Sequence, residues 1–453
     1  MRWGKGNRNP LFKLVFGCDE DPGSDRMPPD GRKTGLGMAE SVKDTKQFPL
    51  LRNLQFSPIK ENDEQYVLIW DPTGLTSDKL IVPLSYFYLL QFFDGEHSLD
   101  QIGAEYLKKF GEFFVLNRLQ KLVADLHAKL FLEGERVEAA KRAAAASYRE
   151  APVRQAAFAG KSYEEDREKL KLQLDGFFAS REGPGSKPSV NAGKTIKGIV
   201  APHHEMRMSG PIYAWAYKEL KEAESPDLFV VLGTRHAGLK NLFAVTDKDF
   251  ETPLGRVPVN RAVLERFRVN GGAPFFEEDV SHRSEHTIEF QLPFLQHTVG
   301  GTKPITMVPV LCAFPPACLT NPQLHELGAK VSAFIGALKR ALAESGKEFC
   351  VVASADLAHI GMRYGDSKAP TDFSFHRCMQ MDMEMLKHVE NLDAVAFARF
   401  IEKEEDARRI CGFSPIYTML KLIQAEKGEV LRYDRGITDQ FNSTVTFASM
   451  AFF

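Results

Sequence analysis

The sequence predicts an α/β protein in which one large α/β domain follows a small α+β module. Three observations carry this. Beyond about residue 190, near-continuous apolar runs alternate with helical patterns, as expected for a sheet covered by helices on both faces. Residues 46–137 hold short strand-like runs and then three helical patterns, a different and smaller arrangement. Between the two regions lie an Ala-rich charged helix former and a Gly/Pro/Ser break at 183–188 (GPGSKP), the composition of a connection.

Taken in order, residues 1–45 are rich in Gly, Pro, Arg and Asp without a sustained apolar period and are expected to form a flexible tail. Met27 and Met38 offer later starts. In the module, residues 65–70 (QYVLIW) read as a strand, Asp71-Pro72-Thr73-Gly74 as a turn and 79–83 as a second strand. Helices are expected over 85–93, 98–110 and 115–130. Ser98 is the expected cap of the second and Gly134 a stop for the third. Two strands and three helices in this length suggest a winged-helix-like module. Residues 138–152, with Ala143 to Ala146 among Lys, Arg and Glu, read as a helical linker.

In the large region, strands are expected at 196–201, 228–232, 305–311 (interrupted by Pro309) and 349–354, with closing strands at 429–433 and 445–453. Helices are expected at 163–178, 211–222, 285–297, 323–345, 376–388 and 414–426.

Composition narrows the function classes. The 453 residues carry 58 Lys+Arg against 60 Asp+Glu, a net charge of −2, with 43% hydrophobic and 26% charged residues. Near-neutrality argues against a generic nucleic-acid or membrane-surface binder. The module that would most readily bind DNA holds 10 Lys+Arg and 13 Asp+Glu over residues 46–137, so a peptide- or protein-facing role is favoured. No run approaches the ~20 apolar residues of a membrane helix. The six cysteines (18, 312, 318, 350, 378 and 411) include no C-x-x-C pair, and residues 11–17 are too short and interrupted for a secretion signal, which points to a reducing cytoplasm.

The polar residues fall at strand ends. The first strand of the large region runs into Pro202-His203-His204, the second into Gly233-Thr234-Arg235-His236 and the fourth into Asp356-Leu357-Ala358-His359. Carboxyl ends of strands face the ligand crevice in open α/β sheets, so three such deliveries imply one shared site. His204 is expected to support it from behind. Ten of the twelve histidines lie between His203 and His388; His297, His325, His376 and His388 read as surface or packing residues. Glu285 and Glu289 share a helical face, with His286 close by; His-Thr-Ile-Glu is not the H-E-x-x-H zinc signature, and its role is open between site and structure. Cys411, just before a helix start, is expected to have a lowered thiol pKa and to suit a soft or borderline metal, while Cys312, Cys350 and Cys378 read as small buried hydrophobes.

Six ordered motifs, Ala201-Pro202-His203, Leu232-Gly233-Thr234-Arg235-His236, Thr252-Pro253-Leu254-Gly255, Glu285-His286-Thr287-Ile288-Glu289, Ser354-Ala355-Asp356-Leu357-Ala358-His359 and Cys411-Gly412, preceded by Phe158-Ala159-Gly160-Lys161-Ser162-Tyr163, resemble the Memo family over about residues 153–453. In bacteria that family includes AmmeMemoRadiSam system protein B. The segment DGEHSLDQIGAEYLKKFG with the leucine-rich helix after it resembles PqqD-like peptide-binding winged helices.

The first resemblance implies a fold similar to class III extradiol dioxygenases and places the helix at 163–178 in the large domain. The division becomes a tail at 1–45, a PqqD-like module at 46–137, a helical linker at 138–152 and a Memo-like domain at 153–453. It implies metal ligands His203, His236 and Cys411 for Fe(II) or Cu, and Asp356, His359, His286 and Glu285 at the same cavity. His359 is the acid/base candidate. Cys411 stands where the dioxygenases have a carboxylate, and a His₂Cys set suits copper as readily as iron. The stretch after the A-P-H motif is His204-Glu205-Met206, which brings two polar side chains toward the pocket.

Two functions follow. One is a metal-dependent oxidoreductase with redox or dioxygenase-like chemistry, in the company of a radical-SAM protein and an AMMECR-type protein. The other is a non-catalytic adaptor that binds a peptide or modified residue in the retained pocket. A metal-free hydrolase on His359 and Asp356 lacks a serine nucleophile elbow.

Overall fold

A computed structural model describes residues 47–61, 64–189, 193–224, 226–300 and 304–453. The expected tail, with Cys18 and the alternative starts Met27 and Met38, lies outside the described residues. The chain divides into two compact units, one reaching to Ala144 and including Met362–Lys368, the other formed by Ala145–Gly361 and Ala369–Phe453.

The first unit contains an antiparallel sheet in the order β1 (Gln55–Glu61), β2 (Glu64–Trp70) and β3 (Lys79–Pro83), and helices Leu84–Leu90, Leu99–Phe110 and Leu116–Ala128. β1 is an addition to the sequence reading. Pro58 interrupts its pattern, and a strand with proline is tolerated here because β1 is an edge strand, paired among the described residues only with β2. Ser98 caps its helix as expected, in a full capping box with Gln101. Gly134 does not stop the third helix. That helix ends at Ala128, Leu130 takes the left-handed conformation (φ 61°), and a new helix, Glu135–Glu150, starts immediately after Gly134. Val67, Ile69, Phe87, Ile102 and Leu126 form part of a core separate from that of the large unit.

The second unit is built on β4 (Val153–Arg154), β5 (Gly198–Ala201), β6 (Leu228–Thr234), β7 (Phe243–Val245), β8 (Asp249–Thr252), β9 (Gly255–Val257), β10 (Thr306–Cys312), β11 (Phe349–Ser354), β12 (Asp356–Ile360), β13 (Gly428–Ile437) and β14 (Thr444–Phe452). The main sheet runs β12-β14-β5-β11-β6-β10-β7, with β13 also on β14; β4, β8 and β9 form a small second sheet. The four expected apolar strands are β5, β11, β6 and β10, and they are the parallel centre of the sheet. Burial on both faces is why their sequences are apolar throughout: every residue of β6 is buried. Pro309 fits within β10 because its position faces the side away from β6. Met307, two residues earlier, bonds Pro258 on that side, and β7 joins only from Val310.

Helices lie on both faces. Gly198 faces Met419 of the helix Phe413–Leu422, and Val351 and Val230 share its row in the sheet. Gly233, three residues beyond Val230 and so on the opposite face, meets Thr287 and Ile288. The helix expected from 211 starts at Met206 and runs to Glu222 with Pro211 inside it. The helix expected over 285–297 is instead broken into His286–Glu289, Gln291–Leu295 and a π turn, Gln296–Gly300. Pro293 cannot donate to the Glu289 carbonyl, which interrupts the ladder. Among the described residues, no helix is long and apolar enough to cross a membrane.

Candidate metal centre

Each candidate side chain is fixed first by its backbone. The β5 strand delivers His203, whose amide donates to Asp356 Oδ1 at 2.9 Å, joined by the His204 amide at 3.1 Å. Asp356 opens β12 directly after β11, so the fourth strand end folds back on the first. The His203 ring is held by Nδ1, which donates to the Ser354 carbonyl at 3.1 Å. That leaves Nε2 pointing at the Cys411 sulfur, 3.2 Å away, with Asp356 Oδ2 at 3.6 Å. Burial pushes His203 down to about 3, so the ring is neutral near pH 7 and its Nε2 lone pair is free of a proton.

Cys411 reaches this point because Gly412 follows it. A side chain at Gly412 would place its Cβ 2.3 Å from the Asp356 carbonyl oxygen, which instead accepts the Gly412 amide at 3.0 Å. The Cys411 carbonyl accepts from Thr234 at the end of β6 at 3.0 Å, tying three strand ends together. The expected lowering of the thiol pKa is not found. Burial, followed by the charge of Asp356, pushes the thiol well above its ordinary range. The helix start is outweighed by burial, to which the charges of Asp356, Glu285 and Asp406 add; a cation at the sulfur reverses that balance.

His236 belongs to the same group: one ligand atom each from His203, His236 and Cys411 lie within 4.8 Å of one another. Its Nδ1 donates to Glu285 Oε1 at 3.1 Å and its amide to Oε2 at 3.0 Å. Glu285 is not a helical residue, as the sequence pattern suggests, but the cap of His286–Glu289, accepting from the His286 amide. His286 brings its own Nδ1 to 3.1 Å from the same Oε1, and Arg235 Nη1 reaches Oε2 at 3.3 Å. Burial opposes the charge on Glu285, yet His236 and His286 hold the carboxyl well below its usual range. Burial likewise opposes protonation of His236, but the Glu285 carboxylate wins and raises it.

His236, Glu285 and His286 also have ligand atoms within 4.8 Å of one another. The two rings are 8° from parallel, and both Nδ1 atoms lie 3.1 Å from the same carboxylate oxygen, Glu285 Oε1. The triplet is better described as a carboxylate that orients two imidazoles and leaves Nε2 of each for the cavity. The His236 side chain is 34% exposed and that of His286 27%, which marks the open side of the site.

His359 lies in β12. Its Nδ1 is within reach of the Leu357 carbonyl (3.1 Å) and the Arg409 carbonyl (3.0 Å), and burial pushes it down to about 4. Despite burial, His203 foremost among its neighbours holds Asp356 below the ordinary carboxylate range. The His204 ring turns to stack on Phe447 at 5.2 Å and fills the space beside Gly436, while its amide serves Asp356. Glu205 accepts from Ser162 at 2.9 Å, and Met206 is fully buried.

Several residues support the site from behind, among them Glu289, whose role the sequence left open. Glu289 is fully buried and accepts from Arg154, from the amides of Ala157 (3.0 Å) and Phe158 (2.8 Å), and from the Tyr163 hydroxyl (2.6 Å). Arg154 also donates to the Glu285 carbonyl at 2.9 Å. The Phe158–Tyr163 motif therefore anchors the short helix behind His286. Gln291 bridges the Pro202 carbonyl (2.7 Å) and Ser354 (2.8 Å). Glu289 stood in the Glu285–Glu289 motif, whose role the sequence left open, while Arg154 lies outside every motif and carried no signal. His282, buried against the Ala244 carbonyl at 3.1 Å, carried none.

Comparison with known proteins shows the family of the chain. Residues 154–451 match the Memo family, described as Memo-like protein. A MEMO1 family protein of Methanopyrus kandleri is 29% identical over 308 residues, 66% of this chain and 98% of its own. One from Thermotoga neapolitana is 30% identical over 275 residues, 60% of this chain and 88% of its own. One from Aquifex aeolicus is 23% identical over 413 residues, 88% of this chain and 99% of its own, a match that extends beyond the region shared with the family. The chain belongs to the Memo family.

Proposed function

We propose that this Memo-family chain holds a non-haem iron or copper ion at His203, His236 and Cys411 and supports redox or dioxygenase-like chemistry on a substrate bound at the exposed edges of His236 and His286. The observation that carries the reading is the approach of His203 Nε2 to the Cys411 sulfur, 3.2 Å, with a His236 ligand atom in the same group. The donor set fits the metals. Two imidazoles, each fixed at Nδ1 by an acceptor, present Nε2, and one half-buried thiol completes a His₂Cys set. Two neighbouring carboxylates held in their charged form, Asp356 and Glu285, make the pocket favourable for a cation.

A bound Fe(II) or Cu ion supplies redox capacity and Lewis acidity. The chain's own residues do the rest. Glu285 orients His236 and His286. Asp356 holds the His203 and His204 amides and so the position of the first ligand. His359, neutral near pH 7, accepts a proton at Nε2 and returns it. His286, on the open side, is placed to do the same for a substrate. A fold similar to the class III extradiol dioxygenases, action in the cytoplasm alongside a radical-SAM protein and an AMMECR-type protein, and a PqqD-like winged helix in residues 46–137 belong to the same proposal.

Metal analysis of anaerobically purified protein tests it. Iron or copper should be present in the parent and lost from Cys411→Ala and His236→Ala; equal metal in all three sinks the assignment. A second reading, a non-catalytic adaptor that binds a peptide or modified residue, is favoured by the separate core of the first unit. Deleting residues 1–140 should then abolish capture of the partner while metal content stays unchanged.

A further inference from the structure

The segment that leads into Cys411 is unusual. Glu405, Asp406 and Arg409 hold φ of 53°, 49° and 54°, the left-handed region that residues with side chains disfavour. The loop bonds to itself, Asp406 accepting the Arg409 amide at its carbonyl (2.8 Å) and the Ile410 amide at Oδ1 (2.8 Å), and it is also tied from outside. Arg408, in its middle, is 6% exposed and donates to Glu404 through Nε (2.9 Å) and Nη2 (2.8 Å), and to Asp382 on the helix Asp372–Glu390. Asp382 has no exposed surface and also accepts from Tyr433 (2.7 Å) and Thr446 (2.6 Å).

Two of those donors lead to the metal centre. The Arg408 carbonyl accepts the His359 amide at 2.7 Å, the Arg409 carbonyl accepts from the His359 ring at 3.0 Å, and the Arg409 guanidinium donates back to the His359 carbonyl at 3.0 Å. The Thr446 hydroxyl, while donating to Asp382, accepts the Ala358 amide at 2.9 Å. The loop bearing Cys411 and the strand bearing His359 are thus bonded to each other, and both lead back to one carboxylate. Tyr433 reaches that carboxylate from β13, a strand with no candidate ligand.

We propose that Asp382 is a positioning residue of the metal centre: by holding Arg408 and Thr446 it fixes at once the loop that presents Cys411 and the strand that presents His359. In the absence of its charge, the left-handed residues relax and Cys411 leaves its place beside His203. Only the metal-binding part of this inference rests on the functional reading above.

The full chain carrying Asp382→Asn, Thr446→Val or Tyr433→Phe is compared with the parent by two readouts, with urea midpoints recorded for each. Cobalt(II), added alone, is titrated by its thiolate charge-transfer absorption. In metal-free protein, iodoacetamide labelling of Cys411 is timed by peptide mass spectrometry. Asp382→Asn and Thr446→Val should weaken cobalt binding about tenfold or more, as loss of outer-shell support does, and speed Cys411 labelling several-fold. Tyr433→Phe should lower the urea midpoint and leave both site readouts unchanged. Parent-like cobalt binding and labelling in Asp382→Asn and Thr446→Val overturns the proposal, as does a Tyr433→Phe variant that changes both readouts equally. If Asp382→Asn does not fold, Thr446→Val decides. If the parent takes up no cobalt at Cys411, the metal reading fails and the labelling rates alone judge Asp382.

Discussion

His236 and His286 stack with ring centroids 5.1 Å apart and 8° from parallel, each with Nδ1 3.1 Å from Glu285 Oε1. One buried carboxylate therefore sets the tautomer of two imidazoles at once. Glu285→Gln keeps the shape but removes the charge. Metal affinity is expected to fall about 10- to 100-fold, the usual effect of losing a carboxylate behind a histidine ligand. A titration with copper or cobalt reads this, and unchanged affinity would show that Glu285 serves only to cap its helix.

Acid should destabilise the metal-free protein by way of its buried histidines. His203 and His282 are both pushed by burial to about 3 in the fold, below the ordinary ~6.5 of an unfolded histidine. Between those values the unfolded chain binds the extra protons, so stability rises with pH across that window. It is lost as pH falls from about 6.5 toward 3, at a limiting slope of about 1.4 kcal/mol per pH unit for each group. His236, raised by Glu285, has the opposite sign: its contribution is full below about 6.5 and lost as pH rises through its folded value. Urea unfolding at a series of pH values checks both, and a flat profile from pH 7 to 4 contradicts them.

Metal uptake should release protons. The Cys411 thiol is pushed well above its ordinary range, and only the thiolate binds a metal. Apparent affinity is expected to increase with pH, and calorimetry in buffers of different ionisation enthalpy should count the released proton. A binding heat independent of the buffer, with an affinity that does not change with pH, would show that no thiol proton is released.

Arg154→Ala should be among the most destabilising single changes in the large unit. It leaves Glu289, fully buried, without its cation, a defect that typically costs about 3–5 kcal/mol. Pairing it with Glu289→Gln should recover part of the loss. A double-mutant cycle by urea denaturation gives the coupling, and additive effects would mean that the amides of Ala157 and Phe158 suffice.

Gly233→Ala tests how closely the short helix approaches β6. Its Cβ would lie 2.4 Å from Thr287 Oγ1 and 2.8 Å from Ile288. A loss of about 1–3 kcal/mol is expected, with weaker metal binding, since His236 and Glu285 flank that contact. Parent-like stability would indicate that the helix can move aside.

The sequence by itself determined much of this protein. Strands buried on both faces must be apolar throughout, so β5, β6, β10 and β11 were legible without knowledge of their neighbours. The shared site of His203 and His236 was legible because a sheet places its functional residues at strand ends, and the two meet in one candidate ligand group. The order of those strands, in contrast, is set by packing. So are β1, disguised by Pro58, and the broken helix at 286–300, where Pro293 interrupts a helical pattern. The tertiary structure alone decided what each polar residue does. Glu285 and Glu289 share a spacing that suggests a common face, yet one orients two histidines while the other is neutralised by Arg154, 135 positions away in the chain. Cys411 was expected to have a lowered pKa from local helix geometry, and is instead governed first by burial and then by the charge of Asp356, 55 positions away. Local propensity is written in neighbouring residues; charge balance in a buried site depends on residues that meet only after folding.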